Sequence, residues 1–128
     1  MGGRVATKLG DGLMALFGHP IAQENDSERA VRAALAIQRA LAALNRNNAG
    51  LGRPELAARI GIESGAVVVD AAGEFFGDAP NSAARVQTRA DPGTMLITAR
   101  VQRQVAGQFV AEDRGLHGLR GVPRPVAL

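Results

Sequence analysis

Three short stretches carry side chains able to do chemistry. In KLGDG, residues 8–12, Lys8 lies three positions before Asp11, and Asp11 stands between two glycines. Gly and Asp tolerate positive φ, so this is a hairpin signal between two apolar segments, 5–9 and 13–17. At such a tip a carboxylate is either the polar residue of the turn or a hard oxygen ligand for a divalent cation. The second stretch is GEFFGDAPNSAAR, residues 73–85, in which Asn81 and Arg85 are four apart. On a helix that spacing puts an amide and a guanidinium on one face. Taken singly, Asn81 suits a helix N-cap, Arg85 a surface charge, and 77–80 an ordinary loop. The third stretch, HGLRGVPRPV at 117–126, contains Arg120.

The elements that must position these groups can be read from periodicity and breakers. After the hairpin, Gly18-His19-Pro20 ends the second strand. Asn25 followed by Glu28 has the form of a capping box for a helix. Ala34, Ile37, Leu41 and Leu44 recur at helical spacing and predict its buried face, with Arg32 and Arg39 on the other side and Glu28 within reach of Arg32. Residues 45–54, NRNNAGLGRP, have loop composition. Leu56 to Ile62 alternates like a strand, 66–69 is rich in β-branched residues, and 63–65 reads as a bend or bulge in one long strand. A shorter helix is expected from Asn81 to about Ala90, stopped by Asp91-Pro92-Gly93. Thr94–Thr98 reads as a strand and Arg100–Ala106 as a short helix. Closing strands are expected near Phe109–Glu112 and Pro125–Leu128. The order ββαβ(β)αβαββ predicts an α+β fold, with helices packed on a largely antiparallel sheet.

Composition narrows the function. A chain of 128 residues is one domain at most, able to bury roughly two-thirds of its unfolded surface. It has four Phe, no Trp and no Tyr, so the stacking platform of single-strand nucleic-acid binders is missing. The formal net charge is +3; Lys8 is the one lysine among 15 basic residues, and the arginines are dispersed among acids. They form no basic stripe of the DNA-binding kind. The chain has no Cys, which excludes disulfides and thiolate metal sites. No apolar run approaches the 18 residues of a membrane span, and the N-terminus lacks the apolar region of a signal peptide. The expected compartment is the cytoplasm.

In order and spacing, the stretches GDGLMALFG, DSERAVRAAL, RIGIESGAVVV, FFGDAPNSAARVQ, DPGTMLIT and LRGVPRPV resemble the catalytic domain of class III nucleotidyl cyclases, the adenylate and guanylate cyclase homology domain. The resemblance runs from Gly3 to the last residue. It implies a ferredoxin-like cyclase homology domain in which two divalent ions, magnesium or manganese, serve attack of a ribose 3′-hydroxyl on the α-phosphate of its own nucleoside triphosphate. On that resemblance Asp11 matches the second metal-binding aspartate, Asn81 the ribose-orienting asparagine, and Arg85 the arginine that stabilises charge on the α-phosphate. Arg120 falls where the family carries a basic residue, and reads either as a phosphate contact or as a surface charge.

The chain also departs from the family pattern. It begins at what would be the second strand, so the first strand, its metal aspartate and the following helices are not in it. One protein metal ligand is therefore expected here instead of two. The expectation is a fragment of a longer signalling protein with little or no activity by itself. The base-reading lysine, four residues before the metal aspartate, is replaced by Thr7. Lys8 is one position further on, and can substitute only if the strand is bulged. The second base-selecting position, seven before the ribose asparagine, is Glu74, which can accept from the adenine amino group. ATP is the expected substrate, GTP the less favoured one. The resemblance further implies a homodimer, or a heterodimer with another cyclase domain. One subunit would supply the metal aspartates and the other the Asn81 and Arg85 set. The competing readings are a non-catalytic cyclase-like module and, disfavoured by the missing aromatics, a small RNA binder.

Overall fold

The computed structural model describes residues 4–9, 12–18, 24–72, 74–113 and 119–125. Among them the elements run β1 Arg4–Leu9, β2 Gly12–Leu16, α1 Asp26–Asn47, β3 Ile60–Ile62, β4 Val68–Val69, β5 Phe75–Phe76, α2 Asp78–Thr88, β6 Met95–Thr98, α3 Ala99–Gln104, β7 Phe109–Asp113 and β8 Leu119–Pro125. The α+β class is as expected. The main sheet has the order β3-β6-β8-β7, while β1–β2 and β4–β5 form separate two-stranded sheets. β3 and β6 are parallel; β6–β8 and β7–β8 are antiparallel. A parallel pair cannot be joined by a tight turn, so the chain crosses from β3 to β6 through the β4–β5 hairpin and α2.

β6, sequence MLIT, is buried at every position, as a strand must be when it has neighbours on both edges and helices on both faces. Alternation sorts its side chains. Met95 and Ile97 join Val31, Ala34 and Leu35 of α1, Val101 of α3, Val105, and Phe109 of β7, with Ile60 and Ile62 packed alongside. Leu96 instead joins Val86 of α2 and Ala90. Thus α1 and α3 cover one face of the sheet and α2 the other. Gly61, between Ile60 and Ile62, faces α2. A Cβ there would lie 2.4 Å from the Gln87 nitrogen and 2.6 Å from the Ala83 oxygen. Only a residue without a side chain lets the helix backbone approach a strand this closely.

Several expectations are corrected. The buried side of α1 is Val31, Ala34 and Leu35, whereas Ile37 and Leu44 are 51% and 43% exposed. The stripe is turned because Gln38, not Ile37, faces the sheet: its Nε2 donates to the carbonyls of Ala58 and Thr94, both at 3.2 Å. Asn25 is the N-cap, but its side chain makes no cap bond. The Glu28 carboxylate is taken by Arg32 Nε at 3.0 Å, so the capping box does not close although the expected ion pair does. Arg29 pairs with Asp26 in the first turn.

The expected loop at 45–54 starts late, because α1 continues to Asn47. Asn45 then acts like a strand neighbour: its Nδ2 donates to Leu56 O at 2.7 Å, and its Oδ1 accepts from Leu56 N–H at 2.8 Å. That engagement takes both backbone groups of Leu56 out of strand pairing, and the expected strand 56–62 is shortened to 60–62. Residues 63–65 are not a bulge in one strand but the passage from the main sheet to the β4–β5 hairpin, whose second strand periodicity did not reveal. The closing strand is 119–125 and pairs with β7; residues 126–128 lie outside the described residues. Among the described residues no helix is long and apolar enough to cross a membrane.

Candidate active site

α2 begins at Asp78, not at Asn81. Pro80 sits in its first turn, where a missing N–H costs nothing because those donors have no helical partner. The N-cap is Gly77, at φ 125° and ψ −174°, a region that essentially only glycine occupies. Asn81 is therefore not a cap, and its own N–H donates to Gly77 O at 3.4 Å. It stands one turn into the helix, with Arg85 one turn further, and both are exposed. Among the described residues neither head group has a hydrogen-bond or ion-pair partner. The helix meets the protein through Ala79, Pro80 and Val86, which are buried, so the amide and the guanidinium are left on the open side.

The seat of this helix includes a group that sequence reasoning missed. Strand alternation continues past Gly61, so Glu63 also faces α2. Its Oε2 accepts from Ser82 Oγ at 3.1 Å, while its Oε1 accepts from Thr98 Oγ1 at 2.7 Å and from the Ser64 N–H at 2.8 Å. Thr98 also caps α3, its Oγ1 accepting from Val101 N–H at 3.3 Å. Arg100 Nη1 donates to Ser64 O at 2.9 Å. The available signal was an acid ending an otherwise apolar strand, IGIE, where a carboxylate needs partners.

Glu74 is exposed and sits just before β5, on the hairpin that leads into α2. Its backbone is held by Asp70: the Glu74 N–H donates to Asp70 Oδ1 at 2.9 Å, and the Asp70 N–H donates to Glu74 O at 3.0 Å. Asp70 Oδ1 also accepts from the Ala72 N–H at 2.9 Å. Glu74, Asn81 and Arg85 thus belong to one continuous hairpin-and-helix segment.

The remaining candidates lie on other elements. Thr7 and Lys8 are in β1, opposite Met14 and Leu13, and the register irregularity of that strand falls between Val5 and Thr7. Leu9 pairs with Gly12, as expected for the hairpin; Asp11 lies outside the described residues. Arg120 is in β8, opposite Ile97 on one side and Asp113 on the other. Among the described residues no three His, Cys, Asp or Glu side chains gather closely enough to hold a metal ion.

The family profile described as the adenylate and guanylate cyclase catalytic domain matches residues 3–126. A Rhizobium meliloti (strain 1021) protein carrying an adenylate cyclase assignment is 34% identical over 129 aligned positions, covering 97% of this chain and 20% of that protein. A receptor-type guanylate cyclase of Caenorhabditis elegans is 34% identical over 117 positions, covering 84% of this chain and 10% of that protein. The chain therefore spans a small part of the length of these relatives. The catalytic core of a rhodopsin-guanylyl cyclase with converted specificity, solved in complex with ATPαS, shares the fold with a TM-score of 0.83 at 22% identity, over 98% of this chain and 73% of that one. With the match running almost end to end in sequence and in fold, the chain belongs to the adenylate and guanylate cyclase catalytic domain family.

Proposed function

We propose that the chain contributes to a nucleotidyl cyclase site that converts ATP to cyclic AMP and pyrophosphate. The 3′-oxygen of the ribose forms a bond to the α-phosphorus, the bond from that phosphorus to the β-phosphate bridging oxygen breaks, and the hydroxyl proton passes to solvent. Asn81 donates to and accepts from the ribose, holding it for in-line attack. Arg85 places a fixed positive charge against the α-phosphate oxygens, where negative charge builds in the transition state. Glu74, an acceptor just before β5, takes a base amino group. Thr7, Lys8 and Arg120 are proposed as further substrate contacts and Asp11 as a metal ligand, magnesium or manganese being the ion expected for the family. The observation that carries the reading is the pair of exposed heads of Asn81 and Arg85, without partners among the described residues, on the open side of an α2 seated by Ala79, Pro80 and Val86. A second cyclase domain facing that side, in a homodimer or a heterodimer, would complete the site.

The test mixes this chain with a complete cyclase domain that lacks its own transition-state arginine, and measures cyclic nucleotide from manganese-ATP and from manganese-GTP. Product in the mixture, lowered about 10²- to 10³-fold by Arg85→Ala in this chain, is the expected result. A carboxylate accepts from the amino-bearing edge of either base, so running both nucleotides decides between ATP and GTP. Failure to form product from either nucleotide would overturn the catalytic reading. If nucleotide were still bound, the second reading, a non-catalytic nucleotide-binding module, would stand. Asp11→Asn is expected to weaken manganese binding by titration calorimetry with the melting temperature unchanged. A large fall in melting temperature with unaltered manganese binding would make Asp11 the turn residue instead.

A further inference from the structure

Glu63 takes no part in the chemistry just described, yet it is tied to the helix that carries it. We propose that Glu63, acting through Ser82, is a positioning residue that sets the rotation of α2 and so the aim of Asn81 and Arg85. This rests on the catalytic reading of that helix. Two kinds of contact hold α2 to the sheet. The first is close packing: the Ala83 and Gln87 backbone over Gly61, and Val86 with Ala90 against Leu96. Packing of this kind decides how near the helix comes, but dispersion contacts are weakly directional. The second is the hydrogen bond from Ser82 Oγ to Glu63 Oε2 at 3.1 Å, which has a required angle as well as a distance. It acts on the residue next to Asn81 and three before Arg85.

The carboxylate is itself held from two other sides, by the Thr98 hydroxyl at 2.7 Å and by its neighbour's N–H at 2.8 Å. Thr98 is 9% exposed and ends β6, a strand buried at every position. Glu63 is therefore a strut founded in the core, with its outer end on the working helix. Catalytic groups must be kept within about 0.5 Å of productive geometry by residues that are themselves locked, and this hub meets that requirement. Nothing in the packing of α2 needs an acid at 63; the need arises from direction.

The test uses the full chain in the mixed-domain assay above, with kcat expressed per folded molecule from denaturation curves. Ser82→Ala and Glu63→Ala are each expected to lower kcat about tenfold or more while KM stays within about twofold, as for loss of alignment without loss of binding. Ser82→Thr, which keeps the hydroxyl, is expected to restore kcat. In an Arg85→Ala background the Ser82→Ala effect should shrink, since only Asn81 is left to aim. A merely structural role would lower the melting temperature and leave kcat per folded molecule unmoved. Should Glu63→Ala fail to fold, Ser82→Ala carries the test. Unchanged kcat in Ser82→Ala, or an equal loss with and without Arg85, would overturn the proposal. Full kcat in Arg85→Ala would overturn the catalytic reading of α2 and this proposal with it, so the two failures are told apart.

Discussion

Arg85 and Asn81 are exposed side chains on a helix whose other side is buried, which separates their contribution to function from any contribution to stability. Removing Arg85 takes away no packing and breaks no described ion pair. Arg85→Ala is therefore expected to change unfolding free energy by no more than about 0.5 kcal/mol, the usual range for surface sites. Turnover should fall by about 10² to 10³, as when a preorganised donor to a developing anion is lost. Arg85→Lys should recover little of it, because a point charge on a flexible stem does not reproduce a planar, forked donor. Urea denaturation and a cyclic nucleotide assay on the same preparations check both halves. At this scale the sequence was informative about the pair and uninformative about its support. Spacing of four put Asn81 and Arg85 on one side, but Asn81 read singly suggested a cap, because Pro80 disguised the true first turn. Glu63 escaped because its partners, Ser82 and Thr98, are 19 and 35 residues away, and no local pattern encodes such a meeting.

α2 and its seat form the element on which those heads depend, and two glycines make the arrangement sterically possible. Gly77→Ala would force a side chain into a backbone region reserved for glycine and bring its Cβ to 3.3 Å from Ala66 O. A cost of about 1 to 3 kcal/mol is expected. Gly61→Ala is more severe in kind. The atoms it would meet at 2.4, 2.6 and 2.8 Å are all α2 backbone, which cannot swing aside as a side chain can. Overpacking of this sort costs about 1 to 3 kcal/mol and occasionally more, and α2 must lift from the sheet to relieve it. Both variants should lower the midpoint of urea unfolding. Gly61→Ala should also slow turnover per folded molecule, because Asn81 and Arg85 move with the helix. Elements with a strong period or clear breakers were legible: the β1–β2 hairpin, α1, β6 and α3. The face of α1 was misjudged because periodicity ranks Ile above Gln. The fold instead uses Gln38 to satisfy the Ala58 and Thr94 carbonyls and leaves Ile37 in solvent. The two-residue strands β4 and β5 are too short for any period to register.

For the molecule as a whole, β6 divides two jobs between its faces, and neighbouring truncations can separate them. Ile97 is fully buried among α1, α3, Val105 and Phe109, away from α2, whereas Leu96 is buried against Val86 and Ala90 on the α2 side. Cutting either to alanine leaves a cavity, and each is expected to cost about 2 to 5 kcal/mol. That is a large share of the roughly 5 to 15 kcal/mol that holds a typical domain folded. The consequences for turnover should nevertheless differ. Ile97→Ala loosens a face that touches neither Asn81 nor Arg85, so kcat per folded molecule should stay within about twofold of the parent. Leu96→Ala removes the apolar contact of Val86 and Ala90 with the sheet, so kcat should fall while stability falls by a similar amount. Paired urea curves and initial rates, taken well below both unfolding midpoints, distinguish the two. Equal losses of kcat from both truncations would mean that the sheet transmits disturbance as one body, and that the two faces are not energetically separate.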